Sequence, residues 1–229
     1  MVAALMSLIF VILGQLSVVI LRSGFGVRGA SSNEFPLLVL SVVVNSILPL
    51  FTTLIAIDSF SGEFSQNTIK ITITRPVTRL KFFTAKVIAI MIFVLVNLLF
   101  VMIISTITGV VFNSNSFTLH SIIRILISYL VTLIPMTVLA LVIVLLTNIL
   151  RNGISIFFIS ILIFIVFKAL GIIFSSYSSL FFTNMLDWYR LWIMGNVSFL
   201  KIFRQFLLML SYIILLFTGA YYLFDKKDF

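Results

Sequence analysis

The sequence predicts an all-α integral membrane protein with six transmembrane helices and both termini on the cytoplasmic side. Three observations carry this expectation. The first is composition: 62% of the 229 residues are hydrophobic and 9% are charged, with a mean hydropathy of +1.32. A soluble domain carries about 25% charged residues, so this chain has roughly a third of the share that wets a surface. The second is that apolar residues gather in six runs, each near the length of about 20 residues that crosses a hydrocarbon core. The third is the placement of the basic residues, which concentrate in one polar stretch after the second run.

The runs follow one another with short polar joints, in a single domain over residues 1–229. The first, residues 2–21, lacks the positive n-region of a signal peptide and is expected to remain as a span. The second, residues 36–57, opens on Pro36, a good first-turn residue because its missing N–H is one a helix start leaves unpaired anyway. The third and fourth cover residues 87–112 and 122–147. The fifth runs over 153–174 and the sixth over 206–224, ahead of the closing "DKKDF". No alternating ten-residue pattern appears, so helices rather than a closed barrel satisfy the backbone in lipid. Pro49 and Pro135 fall mid-run and should kink the second and fourth helices.

Six spans place both ends on one side. With the ends inside, the inner segments hold Lys70, Arg75, Arg79, Lys81, Lys86, Arg151, Lys226 and Lys227; the outer ones hold Arg22, Arg28, Arg190, Lys201 and Arg204, with Arg124 just inside the fourth span. Five of the inner eight lie in the segment 58–86, which the positive-inside rule assigns to the cytoplasm. The net charge of +9 therefore reads as orientation in the bilayer and not as a nucleic-acid footprint. Between the fifth and sixth runs, residues 175–205 are too polar to cross and too aromatic for a free linker. Trp188, Tyr189 and Trp192 there suit interfacial or re-entrant helices at the outer headgroups.

Much chemistry is excluded. There is no Gly-Lys pair for a phosphate-binding P-loop, no Gly-x-Ser-x-Gly, no cysteine, and one histidine, His120, so neither a metal cluster nor a Ser-His pair is visible. Lys168 is the one charge well inside a run, near enough to the outer end for its side chain to snorkel, with a packing or pathway role in contact with substrate as the alternative. Asn45 and Asn97 read as polar groups for hydrogen bonds between helices or along a pathway. A chain without its own energy source needs a partner, and the polar stretch "EFSQNTIKITITRPVTR", Glu63–Arg79, is the natural place to dock one.

That stretch, with Lys86 after it, resembles the permease subunits of type-2 ABC exporters. Members show a Glu, then Gly-Thr-(Leu/Ile)-Lys or Glu, then x-Pro-(Val/Ile)-(Ser/Thr)-Arg, then a Lys opening the third helix. Glu63, Thr68, Ile69, Lys70, Pro76, Val77, Thr78, Arg79 and Lys86 match, and Asn67 stands where glycine is usual, which is tolerable because Asn also visits the left-handed region. "LLTNILRNGISIFF" and "YYLFDKKDF" are similar as well. Family members usually open on a basic amphipathic helix, whereas this chain opens directly in a span.

The resemblance implies a short coupling helix between spans two and three, seated on a cytoplasmic ATPase. Glu63 near its start suits the helix dipole; Pro76 ends it and pushes Arg75 to an extended conformation. It further implies a multi-pass protein of a bacterial plasma membrane, two ATPase subunits that hold the ATP and Mg, a second permease chain identical or related, and no cofactor in this chain. The substrate class it implies is amphipathic: a peptide, a lipid or a drug. Two other classes compete on the residues alone: a secondary carrier or channel, which would transport without nucleotide, and a non-transporting assembly protein.

Overall fold

Where apolar runs are long, the chain folds into helices packed side by side, and no strand occurs among the described residues. The computed structural model describes residue 12 and residues 34–62, 78–112, 119–150, 152–193 and 198–226. The expected first span, 2–21, and the core of the coupling segment, 63–77, fall outside them apart from Ile12. Helix α1 (Phe35–Asn45) leads through Ser46 into α2 (Ile47–Ile57), which tightens into a π-helical turn at Asp58–Gly62. The chain resumes in α3 (Arg79–Phe112), α4 (Leu119–Val131), α5 (Leu133–Ile149) and α6 (Gly153–Ile173). A 3₁₀ turn (Ser175–Leu180) and the short helices α7 (Phe182–Met185) and α8 (Tyr189–Ile193) precede the last helix, α9 (Phe199–Asp225).

Among the described residues four stretches are long and apolar enough to cross a membrane: Arg79–Val111, His120–Ile149, Gly153–Ile173 and Phe199–Asp225. The pair Phe35–Asn45 and Ile47–Ser61, bent by 43°, makes a fifth if counted as one broken span. Both breaks have the same cause. A proline ring clashes with the carbonyl four residues back and donates no hydrogen bond to it. For Pro49 that carbonyl belongs to Asn45, and the helix breaks at Ser46; for Pro135 it belongs to Val131, and the helix breaks at Thr132. Pro36 sits in the first turn of α1, as expected.

Two helices start earlier than hydropathy predicts. Helix α3 begins at Arg79 because Thr78 caps it, its hydroxyl accepting from the Lys81 N–H at 3.4 Å. At 34 residues it is about 50 Å long, longer than a hydrocarbon core of about 30 Å. Helix α9 begins at Phe199 rather than near Phe206. In α6 the start is where the apolar run begins, and Asn152 caps it by accepting from the Ile154 N–H at 3.0 Å.

Helix α5 is the central element: eleven of its seventeen residues are buried. It packs against α2, α3, α6 and α9, while α1 lies across α3. Helix α3 turns Phe83, Val87, Ile90, Val94, Leu98 and Val101 inward, at spacings of three and four, and leaves Ile88, Ile92, Val96, Ile103 and Ile107 exposed on the opposite face. Exposed apolar stripes of that length serve a hydrocarbon surround and not water. A hydrogen-bonded knot crosses the core: the buried Tyr129 hydroxyl of α4 donates to the Pro36 carbonyl of α1 at 2.8 Å and meets Ser105 Oγ of α3 at 3.1 Å.

Candidate functional site

The bundle has two ends of different chemistry. At one end, called the base, the π-helical turn, the start of α3 and the end of α9 converge. Phe83 is the hub, fully buried, with ring centroids of Phe217, Phe224, Phe60 and Tyr221 at 5.3, 5.5, 5.6 and 5.7 Å. Such tilted and edge-on pairs add about 0.5–1.5 kcal/mol each beyond the area they bury. Lys86 reaches across the cluster to donate to the Ser59 carbonyl, its ammonium 4.5 Å from the Phe82 ring centre and 5.1 Å from that of Phe60.

Arg79, which closes the coupling stretch, pairs with Asp225 of the last helix: the carboxylate is 3.8 Å away and the Asp225 carbonyl accepts from the same guanidinium nitrogen. Thr78 and Arg79 are thus the capping and anchoring residues of the base. Of the other coupling residues expected from sequence, Glu63, Asn67, Thr68, Ile69, Lys70, Arg75, Pro76 and Val77 lie outside the described residues. The described residues that flank this segment, Gly62 and Thr78, both sit at the base.

At the other end, called the cap, the segment between α6 and α9 folds back over the bundle. Asp187 is the centre of a charged network. Its carboxylate lies 3.6 Å from Lys168 Nζ and 3.4 Å from Arg190 Nη2, and accepts from the Asn45 amide at 3.2 Å. The Asn45 side-chain oxygen in turn accepts from Lys168 at 2.6 Å, and Arg190 donates to Ser41 Oγ at 2.9 Å. The Tyr189 hydroxyl holds Arg190 above the usual guanidinium range; burial, next in size, opposes it, and the Asp187 carboxylate adds to the rise. The network thereby ties α1, α6 and the cap together, at the residue where α1 breaks.

The geometry places each of the expected polar and aromatic residues. Lys168 does not snorkel; its ammonium is bound to Asn45 beside Asp187. Asn45 does bond between helices, but Asn97 donates its amide to the Phe93 carbonyl of its own helix. Trp188 and Tyr189 are each only 2% exposed, so of the three expected interfacial aromatics Trp192 alone, 43% exposed, lies at the surface. The two indoles do meet, edge to face, with centroids 5.6 Å apart, and the Trp188 ring stacks on Phe206. Gly171 lets α6 approach the cap closely: a Cβ there would run into the Asn184 amide.

Between α2, α5 and α6, at the level of the Ser46 break, lies an apolar cavity of about 50 Å³ lined by Pro49, Thr53, Leu139 and Ser160 among others. The Ser160 hydroxyl is buried there without a hydrogen-bond partner among the described residues. Sequence reasoning passed over Ser160, Tyr129 and Asp187, whose roles depend on neighbours distant along the chain.

Fold and surface together define the class: an all-helical protein with, among the described residues, four or five helices long and apolar enough to span a bilayer. More particularly, the chain belongs to the family described as "Protein of unknown function (DUF2705)", whose family model matches residues 1–229. No curated protein matches it.

Proposed function

We propose that this chain is the membrane permease subunit of an ATP-driven exporter of the type-2 ABC kind. It spans a bacterial plasma membrane six times with both termini inside. It pairs with a second permease chain, and two cytoplasmic ATPase subunits dock on the segment 63–77. The substrate is amphipathic: a peptide, lipid or drug. The observation that supports this reading is the construction of the base. A segment rich in polar residues has both attachment points, Gly62 and Thr78, set on one aromatic cluster that also holds the end of α9. Force applied to that segment would move α2, α3 and α9 as a unit, because a packed aromatic core transmits strain instead of absorbing it.

The arrangement of Arg79 decides how the proposal is tested. Arg79→Ala would loosen the bundle's own base, so it cannot separate docking from folding. Glu63→Ala combined with Lys70→Ala leaves the anchored residues untouched and removes charges suited to cross-interface pairs. The double variant should insert and dimerise like wild type, while recovery of the cognate ATPase in a pull-down and its stimulated hydrolysis fall several-fold. A variant that captures and stimulates the ATPase like wild type would defeat the exporter reading. Transport by the purified chain without nucleotide would favour a secondary carrier, for which the Lys168–Asp187 pair supplies ionisable groups.

A further inference from the structure

Beside Asp187, the cap and the first turns of α9 enclose an open cavity of about 280 Å³. Its wall is built from Ser178, Ser179 and Asn184 of the cap and from Lys201, Arg204 and Gln205 of α9. Lys201 and Arg204 are three apart on one helix, close enough for like charges to repel. Their side chains are exposed, and no side-chain hydrogen bond or ion pair engages either among the described residues. The Asp187 and Arg190 side chains also line the cavity, but they are already paired with each other and with Lys168. Asp187 is therefore committed, and among the described residues the positive charge of Lys201 and Arg204 has no paired carboxylate.

The remaining polar groups of the wall are hydroxyls, amides and one indole, all able to donate. The indole is that of Trp188, 2% exposed, a lining residue whose N–H has no hydrogen-bond partner among the described residues. A buried donor left without an acceptor costs about 1–3 kcal/mol, so an acceptor entering the cavity would relieve it. Two free cations with a surplus of donors match a tetrahedral oxyanion. The next residues along α9 set the surroundings. Phe199, Leu200, Phe203 and Leu207 are 77, 77, 46 and 48% exposed, an apolar flank on which acyl chains could lie beside the cations.

We propose that this cavity binds a phosphate group. Two sources share that chemistry: the phosphodiester headgroup of an anionic lipid and free inorganic phosphate. The site stands independently of the exporter reading, since none of its residues lies at the base.

The chain carries its own reporters, because its two tryptophans are Trp188 in the wall and Trp192 against it. Purified full-length protein in a neutral detergent is titrated with phosphatidylglycerol, with phosphatidylcholine and with inorganic phosphate. Tryptophan emission is followed throughout, and retained lipid is counted by native mass spectrometry. Phosphatidylglycerol should give a saturable change and remain bound, and phosphatidylcholine should bind much more weakly because its choline cation meets Lys201 and Arg204. Lys201→Gln with Arg204→Gln should raise the half-saturation concentration about tenfold or more, as expected when charge-assisted hydrogen bonds are lost. Lys201→Arg with Arg204→Lys should restore it. A saturable response to inorganic phosphate that displaces the lipid assigns the free anion, and a response to phosphatidylglycerol alone assigns the headgroup; either supports the site. Both substituted residues are exposed, so size-exclusion profiles should match wild type. If neither phosphate source binds by either readout, or the Gln double variant titrates like wild type, the proposal is overturned.

Discussion

Asp187 and Lys168 are neighbours in the network yet should not cost the same to remove. At 3.6 Å from Lys168 and 3.4 Å from Arg190, the carboxylate has a gross attraction of about 4–5 kcal/mol to each at an effective dielectric of about 20. Side chains 29–32% exposed for Asp187 and Lys168 return much of that to desolvation and screening, leaving about 1–2 kcal/mol per pair. Lys168→Met removes one pair and leaves Asp187 balanced by Arg190, a loss of about 1–2 kcal/mol. Asp187→Asn removes both pairs and leaves two cations facing each other, a loss of about 3 kcal/mol on the same arithmetic. The double variant should lose about 1–2 kcal/mol less than the sum of the singles, since the pair is broken only once. Unfolding of the purified protein by denaturing detergent, followed by tryptophan emission, measures all three. If Lys168→Met costs as much as Asp187→Asn, or the two losses add, the Lys168–Asp187 pair carries no energy and Lys168 is held by Asn45 instead.

Other parts of the fold give sharper single-site outcomes in the same unfolding assay. Phe83→Ala deletes the hub of the basal aromatic cluster and should cost about 3–5 kcal/mol, as large-to-small changes at buried aromatics do. Tyr129→Phe keeps the ring but leaves the Ser105 hydroxyl without its cross-helix contact, a loss of about 1–2 kcal/mol; no loss would mean the three-helix knot carries no energy. Gly171→Ala forces the Asn184 amide aside and should cost about 1–3 kcal/mol of overpacking. Ser160→Ala removes a buried hydroxyl that has no partner among the described residues, so stability should stay level or rise by up to about 1 kcal/mol; a clear loss would reveal a partner for Ser160.

Helices were legible because burial in hydrocarbon demands long apolar runs, and the runs over 153–174 and 36–57 match α6 and the α1–α2 pair within a few residues. The two mid-run prolines located both breaks, since the clash with the carbonyl four residues back is a local matter. The starts of α3 and α9 were missed by eight and seven residues, Arg79 against 87 and Phe199 against 206. Hydropathy sees the lysines and arginines of those first turns as the end of a span, although a capped helix continues through them. Partners distant in sequence were not legible at all. Lys168 finds Asn45, 123 residues away, and Arg79 finds Asp225, 146 residues away. Trp188 and Tyr189 misled for a related reason: an aromatic at a membrane edge and one buried under a folded-back cap have the same composition around them, and only the path of the chain separates them.

The contrast between the two ends has a mechanical consequence under the proposed function. The base is held mainly by buried rings around Phe83, whose contacts have no substitute in water once separated. The cap is held by charged and polar groups, several partly exposed, and water can replace each of their bonds at a net cost of about 1 kcal/mol. A push delivered through the segment 63–77 would therefore leave the base intact and be released at the cap. The break at Ser46 places the response there as well. Asn45 is the last residue of α1 and contacts both Lys168 and Asp187, so a change in the 43° bend between α1 and α2 acts directly on the network. Under the proposed function the rigid end would receive the force, the exchangeable end would give way, and the helix pair with the proline break would join them.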